Sequence, residues 1–170
     1  MATTEVPIER HASRVSGLPH GTVALAGLAA TAGVIHFVAT VEHISADWEL
    51  AVFFALIGAA QLGIGWRIFR DGGDSRLLKL AALGSLAVAL LWVFSRTTGI
   101  PFGPESGVSK VGVGDTIATV LEFAFAALVA VILWRGPQRV AWLSGGIGMR
   151  LVPAFLSLSL FMAAVGGHEH

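Results

Sequence analysis

Apolar residues fall in five long blocks separated by short polar stretches: Thr22–Val41, Trp48–Phe69, Leu77–Phe94, Gly114–Trp134 and Val140–Val165. At a rise of ~1.5 Å per residue each block is long enough to cross roughly 30 Å of hydrocarbon. Inside lipid the backbone must satisfy its own hydrogen bonds, so an uninterrupted apolar block of this length has to be helical. The alternation of apolar and polar residues that a membrane barrel needs is absent. The pattern therefore predicts an all-α integral membrane bundle of about five transmembrane helices, at 22–44, 48–69, 77–95, 114–134 and 140–166. These form a single domain over 22–166, after a cytoplasmic segment 1–21 and before a short outer tail 167–170, with an outer loop at 96–113.

The fifth block is the least regular, because Arg150 interrupts it near mid-depth and Pro153 follows. A lone guanidinium there costs ~3 kcal/mol on insertion scales, so Arg150 needs a partner. The alternative is that Val140–Met149 lies along the interface and the Ser144-Gly145-Gly146 run breaks the chain; one kinked helix is the preferred reading. Orientation follows from the basic residues. Arg10, Arg14, Arg67, Arg70, Arg76, Lys79, Arg135 and Arg139 fall on one side, and only Arg96 and Lys110 in loops of the other. The positive-inside rule then puts the N-terminus in the cytoplasm and the C-terminus outside. Trp48 and Trp92 near outer ends, with Trp66, Trp134 and Trp142 near inner ends, fit an aromatic belt. Residues 1–20 are polar and the next block is too long for a signal-peptide core, so it is expected to be retained as the first helix. The expected location is the plasma (cytoplasmic) membrane, with the lipid bilayer as first partner and a homo-oligomer or a membrane partner subunit as further ones.

Composition sharpens what is excluded. Apolar residues make up 55% and charged residues 13% of 170, half the charge of a typical soluble domain. Formal net charge is zero, which leaves no electrostatic footprint for nucleic acid. The absence of cysteine removes disulfides, thiolate metal sites and thiol catalysis. No G-x-S-x-G is present, and neither Ser95 nor Ser157 has a histidine in obvious reach, so nothing marks a serine hydrolase. No enzymatic activity is indicated.

Against this background a few polar residues stand out. His36 and His43 are seven residues apart on the first helix and share a face, ~10.5 Å apart along its axis. Asp115 and Glu122 repeat that spacing on the fourth helix, which runs the other way. His43 and Asp115 are thus expected near the outer boundary, with His36 and Glu122 two turns deeper. Three readings compete. The first is a transition-metal site (zinc, copper, iron or manganese) with His36, His43, Asp115 and Glu122 as ligands, since mixed nitrogen and oxygen donors suit all four metals. Arg96, Glu42 and Arg150 would be supporting or ion-pairing groups, and the His168-Glu169-His170 tail a further donor on that side. The second is a proton or ion relay. The third is structural: Glu122 pairs with Arg150 or His36, and such contacts lock helices at roughly 0.6–2 kcal/mol each. A bis-histidine haem is disfavoured, because both intramembrane histidines sit on one helix.

Lesser features have simpler readings. Gln61 reads as an interhelical contact, and Arg96 as a side chain that snorkels to the interface or clamps Asp115. Ala26, Ala30 and Gly58 read as small residues that let helices approach closely. The 95–114 stretch, SRTTGIPFGPESGVSKVGVG, carries five glycines and two prolines and should form a compact, ordered cap. Its SRTTGIPFGP run followed by Asp115, together with His36 and Glu42-His43, resembles a group of small multi-pass actinobacterial membrane proteins of unknown function. The resemblance covers most of the membrane region and implies a topology but no activity.

Overall fold

The computed structural model describes residues 21–100, 107–108 and 110–135. Residues 1–20 of the N-terminal segment, the expected fifth helix at 140–166 with Arg150, and the His168-Glu169-His170 tail lie outside the described residues. Within them the chain forms four helices: α1 (Gly21–His43), α2 (Trp48–Asp71), α3 (Ser75–Thr97) and α4 (Val113–Arg135). All four are long and apolar enough to cross a membrane. They match the first four apolar blocks, extended by a few residues wherever polar side chains carry the helix past its apolar stretch.

Local signals set those ends. Asp47 caps α2, its carboxyl accepting from the Leu50 amide, and Asp74 caps α3 by accepting from Arg76 and Leu77. Gly72 ends α2 at φ 79°, a left-handed conformation that glycine adopts without a Cβ clash, and its N–H returns to the Ile68 carbonyl. The three-residue turn 72–74 then sends α3 back antiparallel.

Packing runs in the order α2, α1, α4, α3. α1 packs along α2 on one flank and α4 on the other, α4 packs on α3, and α2 and α3 hardly touch despite their short connection. The α1–α2 seam is the tightest. A Cβ built on Gly33 would lie 3.0 Å from the Gly58 carbonyl oxygen, and one on Gly65 would lie 3.0 Å from that of Ala26. Small residues let backbones approach this closely, and dispersion then acts over the whole seam. Gly58 and Ala26 were legible as small packing positions; Gly33 and Gly65 complete the set.

The two ends of the bundle differ. Near the 72–74 turn lies an apolar core of Leu25, Ala29, Ile68, Leu78, Phe125, Val129 and neighbours. Toward the 95–112 loop the helices part around a cavity. Outward-facing Trp48, Trp66, Phe69, Leu80, Leu83, Val120 and Trp134 are all exposed, with Trp134 at 82%. So much exposed apolar surface on every helix has lipid as its natural solvent.

Candidate functional site

Glu122 sits in the middle of the buried stripe of α4, between Ala118 and Phe125, and is only 1% exposed. Two helices supply it with partners. His36 Nε2, from the buried face of α1, lies 3.3 Å from Glu122 Oε1. From α2, the Gln61 amide donates to the same oxygen. Glu122 Oε2 and Gln61 Oε1 are buried and have no hydrogen-bond partner among the described residues. Phe54 stacks on the His36 ring at 5.8 Å between centroids and so fixes its plane. The pairing of His36 with Glu122, anticipated from matched depth, is observed; the interhelical contact expected of Gln61 is observed too, though its residue type does not name Glu122 as the partner. Its signal lies in register, because the buried positions of α2 are Ala51, Gly58, Gln61, Gly65 and Ile68. Gln61 thus stands inside the seam that faces α1, on the stripe where small residues admit the closest neighbours.

The other two proposed ligands do not join. His43 turns its Nδ1 back to the Ala39 carbonyl at 2.8 Å, one turn earlier, and packs its ring on Phe54. Asp115 pairs with Arg96 at 2.7 Å. Glu42 is exposed at the end of α1, away from Glu122. Among the described residues no three histidine, aspartate or glutamate side chains come together as a metal-holding group. The seven-residue spacing puts each pair on one face, as expected, but a helix face is wide and the two outer members take nearer partners.

Arg96 is the anchor of the loop. It reaches Asp115 at the start of α4 and the Ser95 hydroxyl, and its guanidinium lies 5.6 Å from the centre of the Trp92 ring. Of the two readings of Arg96, a snorkelling side chain or a clamp on Asp115, the clamp is the one observed. The loop it anchors is pinned at its neck, where Ile100 and Gly107 exchange two backbone hydrogen bonds. Gly99 makes that possible: at φ 79° a Cβ there would come within 2.5 Å of the Gly107 backbone.

Between this neck and Glu122 lies a chamber of about 720 Å³, lined by all four helices and the loop. Its walls are mostly apolar and aromatic, including Ile35, Phe53, Phe54, Val88 and Trp92. His36 and Glu122 belong to its lining at one level, and His43, Arg96, Lys110 and Asp115 at others. A mostly apolar hollow with a few convergent polar groups is the usual form of a small-molecule site. No single residue type in the sequence signals the hollow, whose lining is drawn from all four helices and the loop. Comparison with known protein families, with curated proteins and with solved structures finds no match for the chain.

Proposed function

We propose that this is a five-span plasma-membrane protein, N-terminus cytoplasmic, that binds a cation at the His36–Glu122 centre through the chamber on its outer side. Arg67, Arg70, Arg76, Lys79 and Arg135 lie at the end opposite the loop and only Arg96 and Lys110 at the loop end, which supports that orientation. The fifth span, 140–166, would carry the C-terminus outside. The likeness to small actinobacterial multi-pass proteins agrees with this topology and adds no activity.

One observation carries the functional reading. A buried carboxyl group, with one oxygen bonded by an imidazole and an amide and the other without a partner among the described residues, forms part of the chamber lining. Ionisable groups at such depth are costly and are kept where they serve a site. A transition metal (zinc, copper, iron or manganese) would find nitrogen and oxygen donors in His36 and Glu122 and would need water for the remainder, since Asp115 is paired with Arg96. A specific observation favours a second reading: Glu122 bonds to both α1 and α2, so it also acts as a staple, and an accessory subunit with no chemistry would need no more. In that version Arg150 completes the neutralisation.

Thermal unfolding in detergent separates the two. If the centre binds a cation, titration with zinc, copper, iron, manganese and monovalent ions raises the midpoint for at least one, because a ligand of the folded state stabilises it by mass action. Glu122→Gln and His36→Ala abolish that rise. A staple predicts no ion-dependent rise in the wild type, a lower midpoint in both variants, and strong coupling between Glu122→Gln and Arg150→Gln in a double-mutant cycle.

A further inference from the structure

The chamber is too large and too apolar for a small hard ion. Zinc asks for four close donors and magnesium or calcium for six or more oxygens, held at about 2.0–2.6 Å. Here, among the described residues, His36 and Glu122 are the donors at one point, and the surrounding walls are mostly hydrocarbon and ring faces. A cation whose charge is spread over carbon has a weak hydration shell to lose and gains from apolar walls and aromatic faces.

Charge selects the sign of the guest. The chamber is lined by two acids, Asp115 and Glu122, by the bases Arg96 and Lys110, and by His36 and His43. Arg96 and Asp115 neutralise one another at 2.7 Å, and Lys110 is exposed on the loop. His36 and Gln61 both engage Glu122 Oε1, which leaves Oε2 buried and without a partner among the described residues. The acceptors left without a partner among the described residues are Glu122 Oε2 and Gln61 Oε1, and of these only the carboxyl can carry a charge, while Phe53 and Phe54 supply rings in the wall.

We propose that the chamber binds a lipophilic organic cation, such as an amphipathic amine, phosphonium or quaternary ammonium, with its positive centre against Glu122 and its hydrocarbon against Phe53, Phe54 and Val88. This rests on the cation-binding reading and names the class of its ligand.

The test uses the full chain in detergent with tetraphenylphosphonium, and with tetraphenylborate as an anion of the same shape. Quenching of tryptophan fluorescence and the thermal midpoint report binding, since Trp92 lines the chamber. The expected result is saturable binding of the phosphonium at least tenfold tighter than of the borate. Glu122→Gln weakens it at least tenfold, and Val88→Phe, which fills the hollow without touching the carboxyl, weakens it as well. Equal binding of the two ions, no phosphonium binding, or binding indifferent to both substitutions overturns the proposal. Should Glu122→Gln fail to fold, Val88→Phe and the cation-to-anion ratio decide alone. Glu122-dependent stabilisation by an inorganic ion with no phosphonium binding would sink this inference and leave the broader reading standing; absence of both would sink both.

Discussion

Along α1 the side chains that face the other helices change character near Gly33. On one side stand Leu25, Ala26 and Ala29, which join Ile68, Leu78, Phe125 and Val129 in an apolar core. On the other stand His36, Ala39 and His43, which face the chamber. The same four helices thus form a dry half and a hollow half. In the dry half, Leu25, Ile68, Leu78 and Val129 are each no more than 1% exposed. In the hollow half, polar groups meet and leave Gln61 Oε1 and Glu122 Oε2 without a partner among the described residues. The comparison teaches a division of labour. Close packing at one end fixes the helix positions, so the other end can hold a carboxyl group and empty volume that would not assemble a bundle by themselves. Sites that carry unsatisfied polar groups persist where surrounding structure over-determines them.

The seam common to both halves should be the most sensitive place. Gly58 faces Gly33 with no room for a side chain: a Cβ would already sit 3.0 Å from both the Gly33 carbonyl oxygen and the Phe37 ring. Gly58→Leu should separate α1 from α2, and the two halves should fail together. The expected outcome is loss of monodisperse folded protein on size-exclusion chromatography, whereas Gly63→Leu, where a Cβ meets nothing within 4 Å, should behave as wild type. If Gly58→Leu is tolerated, the seam does not organise the bundle.

Truncation tests the contrast between halves directly. Leu78 is 1% exposed inside the dry core, so Leu78→Ala removes packed atoms and leaves a void, with an expected loss of ~2–4 kcal/mol. Leu91 borders the chamber and is well exposed, so Leu91→Ala should cost less than ~1 kcal/mol. Equilibrium unfolding in mixed micelles reads both. Equal losses would mean that the hollow half is packed by something beyond the described residues.

A smaller effect is expected at the roof. Arg96→Gln breaks the 2.7 Å pair with Asp115 and leaves that carboxylate alone, a loss of about 1–2 kcal/mol for a charge-assisted hydrogen bond. Hydrogen exchange should accelerate at the Ile100 and Gly107 amides, whose bonds close the neck, and stay unchanged at Ile68 and Val129. Acceleration in both halves would mean that the roof and the dry core open as one unit.

The dry half and the helix ends were the more legible parts of the sequence. Long apolar blocks carry their own length and period, so four helices could be placed to within a few residues. Caps such as Asp74 and breaks such as Gly72 are local signals of the same kind. The His36–Glu122 contact was legible because both residues are rare in such a context and matched in depth. The four-ligand cluster, one of the three readings, does not assemble among the described residues, since shared depth says nothing about rotation: His43 finds the carbonyl one turn back and Asp115 finds Arg96. Gln61 was legible as an interhelical contact, and its bond to Glu122 bears that out, but its partner and the chamber depend on which helices are neighbours. That order follows from glycine contacts across a seam, and no pattern within one helix contains it.

The smallest predicted effect lies at the turn that closes the dry half. Asp74 accepts the backbone amides of Leu77 and Arg76, and these bonds, that of Leu77 first, hold its carboxyl below the usual carboxylate range; Arg67 and Arg76 add to the shift and partial desolvation opposes it. A group whose folded value is depressed stabilises the fold above its unfolded value and loses that contribution as pH falls through the folded one. The cap should therefore hold from neutral pH down to the ordinary carboxylate range and fade only below it. Asp74→Asn keeps an acceptor oxygen but cannot ionise, so its thermal midpoint should fall slightly below wild type at pH 6. That difference should shrink on acidification toward pH 3, while Asp74→Ala, lacking the acceptor, stays lowest at pH 6. Because the turn joins α2 to α3 at the dry end, phosphonium affinity should not move in either variant. A change in that affinity would show that the two halves are coupled through the turn, and the division between them would have to be redrawn.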